Sequence, residues 1–195
     1  MIKRERVIEI LEKTNALKNG HFLLTSGRHS DQYMQCAGVL KYPEYTGEIC
    51  KGLAEEFKDD KVDIVVGPAT GGIIMAYEIA RQLGVPTMFT ERENGKMVLR
   101  RDFFIPKGAK VLVAEDVITT GGSVKEVIDL VKEAEGELIG VAVLVDRSNG
   151  KIDFGTKLKA ALTQEVLSYD AEDCPICREG NIPLIKPGSR GIKKD

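Results

Sequence analysis

The chain has 195 residues, 43% of them hydrophobic, which is enough for one domain with a sizeable core. Its net charge of −2 offers no electrostatic footprint for nucleic acid, and no apolar run reaches the roughly 18 residues of a membrane helix. Residues 1–20 are charged throughout and show no signal peptide, so we expect a soluble, cytoplasmic protein. Four scattered cysteines do not make a disulfide framework in a chain of this length.

Two helices separated by short extended pieces are predicted in the first sixty residues. Residues 2–17 follow one amphipathic pattern, and the extended pieces are expected between residues 21 and 40. Pro43 is favoured in the first turn of a helix and marks the start of the second one. The apolar stripe expected on the first helix consists of Ile2, Val7, Ile8, Leu11 and Leu17.

Strands alternate with helices from residue 62 onward. A buried strand over residues 62–66 leads through the glycine-rich segment 67–72 into a helix over 73–83, which Gly84 ends. The turn at 94–95 is Asn-Gly between extended runs, and this pattern predicts a hairpin.

The second half continues this alternation. A buried strand is predicted over residues 138–145 and a last strand over 157–162, whereas the Pro- and Gly-rich tail from Ile182 is typical of a loop. Alternating strands and helices indicate βαβ units. We therefore expect an α/β fold with a central, mainly parallel sheet flanked by helices.

The segment 111–123 carries the strongest chemical signal. Its first four residues suit a strand buried on both faces, which Glu115 and Asp116 are expected to close. The glycine-rich turn 119–123 then opens a helix, whose N-terminus offers backbone N–H groups and a positive dipole end to a phosphate. The two carboxylates cannot bind phosphate directly, so they are expected to meet sugar hydroxyls, a metal ion, or both.

Three predicted strands end in loops with such chemistry, at residues 67–72, 115–123 and 146–148. Parallel strands bring their carboxyl ends to one edge of the sheet, where ligands bind in open α/β folds. The hairpin at 89–100 joins neighbouring elements and is expected close by. The sequence therefore predicts one ligand site built from four loops.

The order of apolar strand, two acids, apolar pair and the turn 119–123 resembles the phosphoribosyl pyrophosphate motif of the type I phosphoribosyltransferases. The segment 67–72 is similar to the pyrophosphate loop of that family. Residues 24–30 resemble the N-terminal hood segment of one branch, the orotate phosphoribosyltransferases. Residues 145–147 are similar to the place where that branch keeps an arginine for the orotate carboxylate. The resemblance further implies a cis peptide bond at residues 69–70.

The activity implied by this resemblance is transfer of ribose 5-phosphate from phosphoribosyl pyrophosphate to orotate. The products would be orotidine 5′-monophosphate and pyrophosphate, within pyrimidine biosynthesis. Mg²⁺ would be held by the pyrophosphate and water, with Glu115 and Asp116 as possible further ligands. The family's mobile loop commonly reaches the neighbouring subunit, which implies a homodimer in which loop 90–100 crosses between sites. No nucleic acid or membrane partner is implied.

The resemblance also implies roles for individual residues. Catalytic roles fall on Glu115, Asp116, Arg92 and Lys96. Orotate is expected to contact Thr119, Arg147 and Arg28. The residues implied to bind phosphoribosyl pyrophosphate are Thr70, Gly71, Arg92, Lys96, Glu115, Asp116, Val117, Ile118, Thr119, Thr120, Gly121, Gly122 and Ser123.

Two positions depart from the family pattern. Thr25 and Gly71 stand where many members have lysines, so fewer basic groups are available to neutralise pyrophosphate, with Arg100 and Arg101 as possible help. Simpler interpretations of the basic residues also stay open. Arg92 and Lys96 could be ordinary hairpin charges, and Arg28 could be a solvated loop residue. Arg147 could pair only with Asp146 or Glu165.

Two other functions stay open. A transferase for another base, such as a purine or xanthine, shares the sugar-phosphate half of the site. A regulator that senses phosphoribosyl pyrophosphate and binds nucleic acid is a further alternative.

We expect a single domain over 1–195, with 1–42 as a hood and 163–195 as a C-terminal appendage. The pair Cys174 and Cys177 has no second pair and no histidine near it, which disfavours a zinc or redox site.

Overall fold

A six-stranded sheet forms the centre of the molecule in the computed structural model, which describes residues 1–24, 26–164 and 167–187. Its strands are β3 (Ile64–Pro68), β4 (Thr87–Glu93), β5 (Lys96–Leu99), β6 (Lys110–Ile118), β7 (Glu137–Asp146) and β8 (Lys157–Thr163). The order is β5-β4-β3-β6-β7-β8, and all neighbours are parallel except the β4–β5 hairpin. The predicted fold class is therefore confirmed.

The remaining elements cover this sheet or precede it. The helices are α1 (Arg4–Lys13), α2 (Ala37–Leu40), α3 (Pro43–Glu55), α4 (Gly71–Leu83), α5 (Gly122–Glu133) and α6 (Pro175–Glu179). A separate antiparallel hairpin is made of β1 (Leu17–Leu23) and β2 (His29–Met34). Within the described ranges, no helix has both the length and the apolar character needed to cross a bilayer.

The central strand β6 is buried on both faces, as its apolar run predicts. Successive side chains of a strand point to opposite faces of the sheet. Leu112 and Ala114 accordingly belong to the core cluster that includes α1, α3 and α4, whereas Val111 and Val113 belong to the cluster that includes α5. Burial of each Val or Leu side chain of this strand stabilises the fold by about 1.5–3 kcal/mol, and this anchors the site at the strand's end.

The predicted helix over residues 2–17 is too long. Helix α1 ends at Lys13, because Asn15 adopts a left-handed backbone with φ of 54°, which a helix cannot continue through and which asparagine tolerates. Leu17 instead begins β1, where it pairs with Met34 across the hairpin. Its side chain enters the core cluster from this strand and not from a helical stripe.

The expectation that Glu115 and Asp116 close their strand is also wrong. Strand β6 runs on to Ile118, because its ladder with β7 continues as far as the pair of Ile118 and Asp146. The two acids therefore stand on a hydrogen-bonded strand and not in a loop. The β6–β7 ladder therefore holds the backbone of both acids in place, which a loop would not do.

Candidate active site

The loops after β3, β6 and β7 meet at one edge of the sheet, as predicted. A Cβ atom added to Gly71 would lie 2.2 Å from Asp116 Oδ2, so the first loop touches the acidic pair. The backbone N–H of Arg147 donates to the carbonyl of Ile118 at 2.9 Å, which joins the third loop to the second. The peptide bond at 69–70 is cis, as the resemblance implied.

A cavity of about 290 Å³ opens where β6 gives way to α5. The predicted residues that line it are Arg92, Glu115, Val117, Ile118, Thr119, Thr120, Gly121, Gly122 and Ser123. Gly121 has φ of 74°, and a Cβ there would come within 2.9 Å of the Phe154 ring, so the turn requires glycine. The first N–H groups of α5 have no acceptor within the helix, which makes this turn suited to a phosphate.

Glu115 lines this cavity and is buried, whereas Asp116 is half-buried and lies against Gly71. Only 7% of the surface of Glu115 is exposed, and its Oε1 accepts the backbone N–H of Asp116 at 3.0 Å. Burial, together with the neighbouring Asp116 carboxylate, raises the pKa of Glu115 to about 9. Burial also raises the pKa of Asp116. In the ligand-free site the pair therefore carries less than two full charges near neutral pH and can hydrogen-bond sugar hydroxyls.

This buried pair predicts an unusual pH dependence of stability. The folded chain keeps the Glu115 proton up to about pH 9, whereas the unfolded chain releases it near the ordinary pKa of 4.5. Between those values the free energy of unfolding falls as pH rises, by several kcal/mol at most at about 1.4 kcal/mol per pKa unit. Glu115→Gln removes this loss, so the variant should gain stability over the native chain between pH 5 and 8.5.

Urea unfolding of both proteins at several pH values measures this difference. The matched control is Glu133→Gln, because Glu133 is exposed at the end of α5. Its stability should follow that of the native chain. Parallel curves for Glu115→Gln and the native chain would contradict the buried proton.

Of the two basic residues predicted for the hairpin, only Arg92 reaches the cavity. Its guanidinium makes a bidentate pair with Glu126 of α5, at 2.9 and 2.6 Å, and also donates to the carbonyl of Gly95. The sequence did not predict Glu126 as a site residue, although it lies one helical turn beyond the glycine-rich turn. A bound pyrophosphate would compete with Glu126 for Arg92. Lys96 is exposed and does not line the cavity.

Arg100 and Arg101, which were expected to help neutralise pyrophosphate, form ion pairs with acids of the β4–β5 hairpin. Arg100 pairs with Glu93 at 3.6 Å, and Arg101 pairs with Glu91 at 3.1 Å. These pairs are solvent-exposed or nearly so, and such pairs contribute little to stability. Both arginines can therefore exchange partners at low cost.

Gly71 explains one departure from the family pattern. A side chain at this position would meet the Asp116 carboxylate, with Cγ at 2.4 Å as well as Oδ2 at 2.2 Å. A lysine could stand here only if Asp116 moved. The loop and the acidic pair are thus fitted to each other without the lysine. The other departure, Thr25, lies outside the described residues.

Arg147 is half-buried and lacks an ion-pair partner among the described residues. Its Nε is a buried donor with no acceptor, and burial lowers the pKa of its guanidinium. The Asp146 carboxylate instead accepts the backbone N–H groups of Ser148 and Gly150. The interpretation that Arg147 serves only to pair with Asp146 is therefore wrong, and Glu165 lies outside the described residues. A half-buried cation with a free buried N–H of this kind can receive a carboxylate.

Arg28 is anchored by the C-terminal segment and is not simply solvated. Its Nε donates to Ser168 Oγ at 2.9 Å, its Nη2 donates to the Ser168 carbonyl, and its Nη1 pairs with Asp170 at 2.6 Å. These partners were missed because about 140 residues separate them from Arg28 along the chain. Contact between Arg28 and orotate would require a change in these bonds.

Comparisons with known proteins agree with this geometry. A family model described as a phosphoribosyl transferase domain matches residues 44–159, which include β3, β6 and β7 with their loops. An orotate phosphoribosyltransferase of Caldanaerobacter subterraneus subsp. tengcongensis is 56% identical over 191 residues, covering 98% of this chain and 100% of that protein. The chain therefore belongs to the phosphoribosyltransferase family, and within it to the orotate phosphoribosyltransferases.

Solved structures extend the likeness to the fold. The orotate phosphoribosyltransferase of Aeropyrum pernix has a TM-score of 0.68 and 27% identity, covering 80% of this chain and 93% of that one. An adenine phosphoribosyltransferase of Rhodothermus marinus has a TM-score of 0.62 at 21% identity, covering 80% and 99%. The second likeness concerns the fold alone.

Proposed function

We propose that the chain transfers ribose 5-phosphate from phosphoribosyl pyrophosphate to orotate, as an orotate phosphoribosyltransferase of pyrimidine biosynthesis. The observation that carries this proposal is the juxtaposition of a phosphate-type turn, an acidic pair with Glu115 buried, and Arg147, whose buried Nε has no acceptor among the described residues. Phosphate, ribose and the orotate carboxylate each find a matching group at one edge. Relatives named for this reaction, similar over nearly the whole chain, support it.

In the proposed reaction the protein binds and orients, and no protein nucleophile is needed. The turn 119–123 holds the 5′-phosphate through backbone N–H groups and hydroxyls. Glu115 and Asp116 hold the 2′- and 3′-hydroxyls of the ribose. The bond from C1 to the pyrophosphate oxygen breaks through an oxocarbenium-like state while the orotate nitrogen bonds to C1, and the proton of that nitrogen leaves with the pyrophosphate or to water. Arg147 fixes the orotate carboxylate beside that carbon.

The leaving pyrophosphate needs neutralisation and shelter from water. The carboxylate oxygens of Glu115 and Asp116 are the type of ligand that Mg²⁺ prefers, so the residues fit a magnesium ion shared with pyrophosphate and water. Bound there, it would neutralise charge on the leaving group. Thr70 and Gly71 adjoin this position, and Arg92 and Lys96 would close over it and exclude water.

The proposal includes a homodimer and a cytoplasmic location. Three large apolar side chains, Ile74 and Tyr77 of α4 and Phe104, expose 41%, 61% and 68% of their surface, which supports a second copy of the chain as their partner. In such a dimer, loop 90–100 would reach the neighbouring site. Analytical ultracentrifugation tests whether the chain is a dimer.

All four cysteines are free thiols, as is usual in a reducing compartment. Hood 1–42 and appendage 163–195 would belong to the same single domain.

A direct assay tests the function. Orotate absorbance should fall when phosphoribosyl pyrophosphate and Mg²⁺ are added, with one pyrophosphate released per orotate consumed. Adenine, xanthine and uracil serve as matched substrates and should react at least about 100-fold more slowly, since they lack the carboxylate that Arg147 would bind. A preference for a purine would refute the proposal. Binding of phosphoribosyl pyrophosphate without turnover, together with retention on heparin, would favour the regulator.

A further inference from the structure

Two histidines and two cysteines meet where the C-terminal segment crosses the β1–β2 hairpin. His21 and His29 come from the two strands, and Cys174 and Cys177 lie at the start of α6 and within it. Their potential ligand atoms all lie within 4.8 Å of one another. These are the chain's only two histidines. The expectation that no histidine lies near the cysteine pair is wrong for the folded chain, because 153 residues separate His21 from Cys174 in sequence.

Four of the six separations among these ligand atoms lie within a few tenths of an ångström of the edges of a metal-centred tetrahedron. His21 Nε2 lies 3.0 Å from His29 Nδ1, 3.4 Å from Cys174 Sγ and 3.6 Å from Cys177 Sγ. Cys177 Sγ lies 3.3 Å from His29 Nδ1. Zinc bonds of about 2.1 Å to nitrogen and 2.3 Å to sulfur at tetrahedral angles place such atoms roughly 3.3–3.8 Å apart. Small movements would therefore admit the ion.

The surroundings of the cluster also suit a metal. His21 Nδ1 lies 3.2 Å from the carbonyl of Ile182, so it can donate its proton there and leave Nε2 free to bind. Histidine ligands are commonly oriented in this way by a carbonyl. Cys174 and both histidines are buried, whereas Cys177 is exposed and provides a path for the ion to enter.

We propose that this cluster binds one zinc ion through His21 Nε2, His29 Nδ1, Cys174 Sγ and Cys177 Sγ. Thiolate and imidazole ligands select zinc over magnesium, so this site is chemically distinct from the acidic pair. The chain supplies all four tetrahedral positions, which is the pattern of a structural site and leaves no place for a substrate. The inference does not depend on the reaction that the protein catalyses.

The ion would fasten the C-terminal segment onto the hood. The backbones of His29 and Tyr169 exchange two hydrogen bonds of 2.8 Å, and Ile185 bonds to both His21 and Leu23. A two-stranded hairpin is only marginally stable by itself. The zinc ion would therefore hold the hairpin and the segment as one unit and, through Ser168 and Asp170, position Arg28.

Metal analysis of the intact protein tests the proposal. Protein purified without chelator and then supplied with zinc should retain about one zinc ion per chain after desalting. The double variant Cys174→Ser/Cys177→Ser should retain less than a tenth of this. Cys50→Ala is the matched control, since Cys50 is a free thiol buried against Met75 and away from the cluster, and it should retain the full amount.

Cobalt substitution reports the ligand set without any variant. Co²⁺ bound to the native chain should give the intense visible bands of a tetrahedral site and a thiolate charge-transfer band. A chelator should lower the melting temperature of the native protein and leave that of the double variant unchanged. Zinc content near zero after reconstitution would overturn the proposal. A Cys174–Cys177 disulfide in freshly purified protein, seen as a mass loss of two hydrogens, would overturn it as well.

Discussion

Replacing Asp116 with asparagine should lower turnover by about two orders of magnitude or more, or at least roughly 2.7 kcal/mol of transition-state stabilisation. Asp116 stands on β6 against Gly71 of segment 67–72, where a carboxylate can accept hydrogen bonds from ribose hydroxyls. An amide of the same shape accepts weaker hydrogen bonds and carries no charge toward a metal ion. The loss should appear in kcat, because the positive charge on the sugar develops only in the transition state.

Stability should not follow activity in this variant. Burial already raises the pKa of Asp116, so the native fold bears a cost for a charge there. Removing it should leave the melting temperature level or raise it, as is common when a functional group is removed. Asp129→Asn, on the exposed face of α5, is the control and should keep full activity. Near-normal turnover of Asp116→Asn would exclude the proposed role.

The sequence predicted the sheet because its signals are local. The apolar run of β6, the proline that begins α3 and the Asn-Gly turn of the β4–β5 hairpin each act within a few residues. Element ends were less predictable. The end of α1 depended on the left-handed backbone at Asn15, and the length of β6 depended on its partner β7. Neither can be read from a local pattern, because pairing partners are set by the whole fold.

The same distinction divides the site. The glycine-rich turn 119–123 and the acidic pair are contiguous in sequence, so the sequence alone could predict the ligand chemistry that they suit. The partners of Arg92 and Arg28 were not, because both arginines bind acids that are remote in sequence. The cluster around Cys174 is the extreme case, since its ligands come from both ends of the chain. A lone cysteine pair carries no signal until folding supplies the histidines.

Arg147→Ala should weaken the use of orotate by about 2–4 kcal/mol, or roughly 30- to 1,000-fold in kcat/KM. Orotate differs from uracil by a carboxylate beside the reacting nitrogen, so a selective site needs a fixed cation there. Arg147 is half-buried, its Nε has no acceptor among the described residues, and Asp146 is already bonded to backbone N–H groups. A substrate carboxylate would satisfy this donor, and removing the arginine leaves that carboxylate unpaired.

The KM for phosphoribosyl pyrophosphate should change less than about threefold in the same variant, since no contact to that substrate is lost. Steady-state kinetics with each substrate varied in turn separates the two effects. Arg147→Lys is the matched variant: it keeps the charge but loses the planar fork that grips a carboxylate at two points, so it should recover only part of the loss. Equal losses of kcat/KM for both substrates would mean that Arg147 supports the fold and does not bind orotate. An unchanged kcat/KM for orotate would mean that another residue binds the carboxylate.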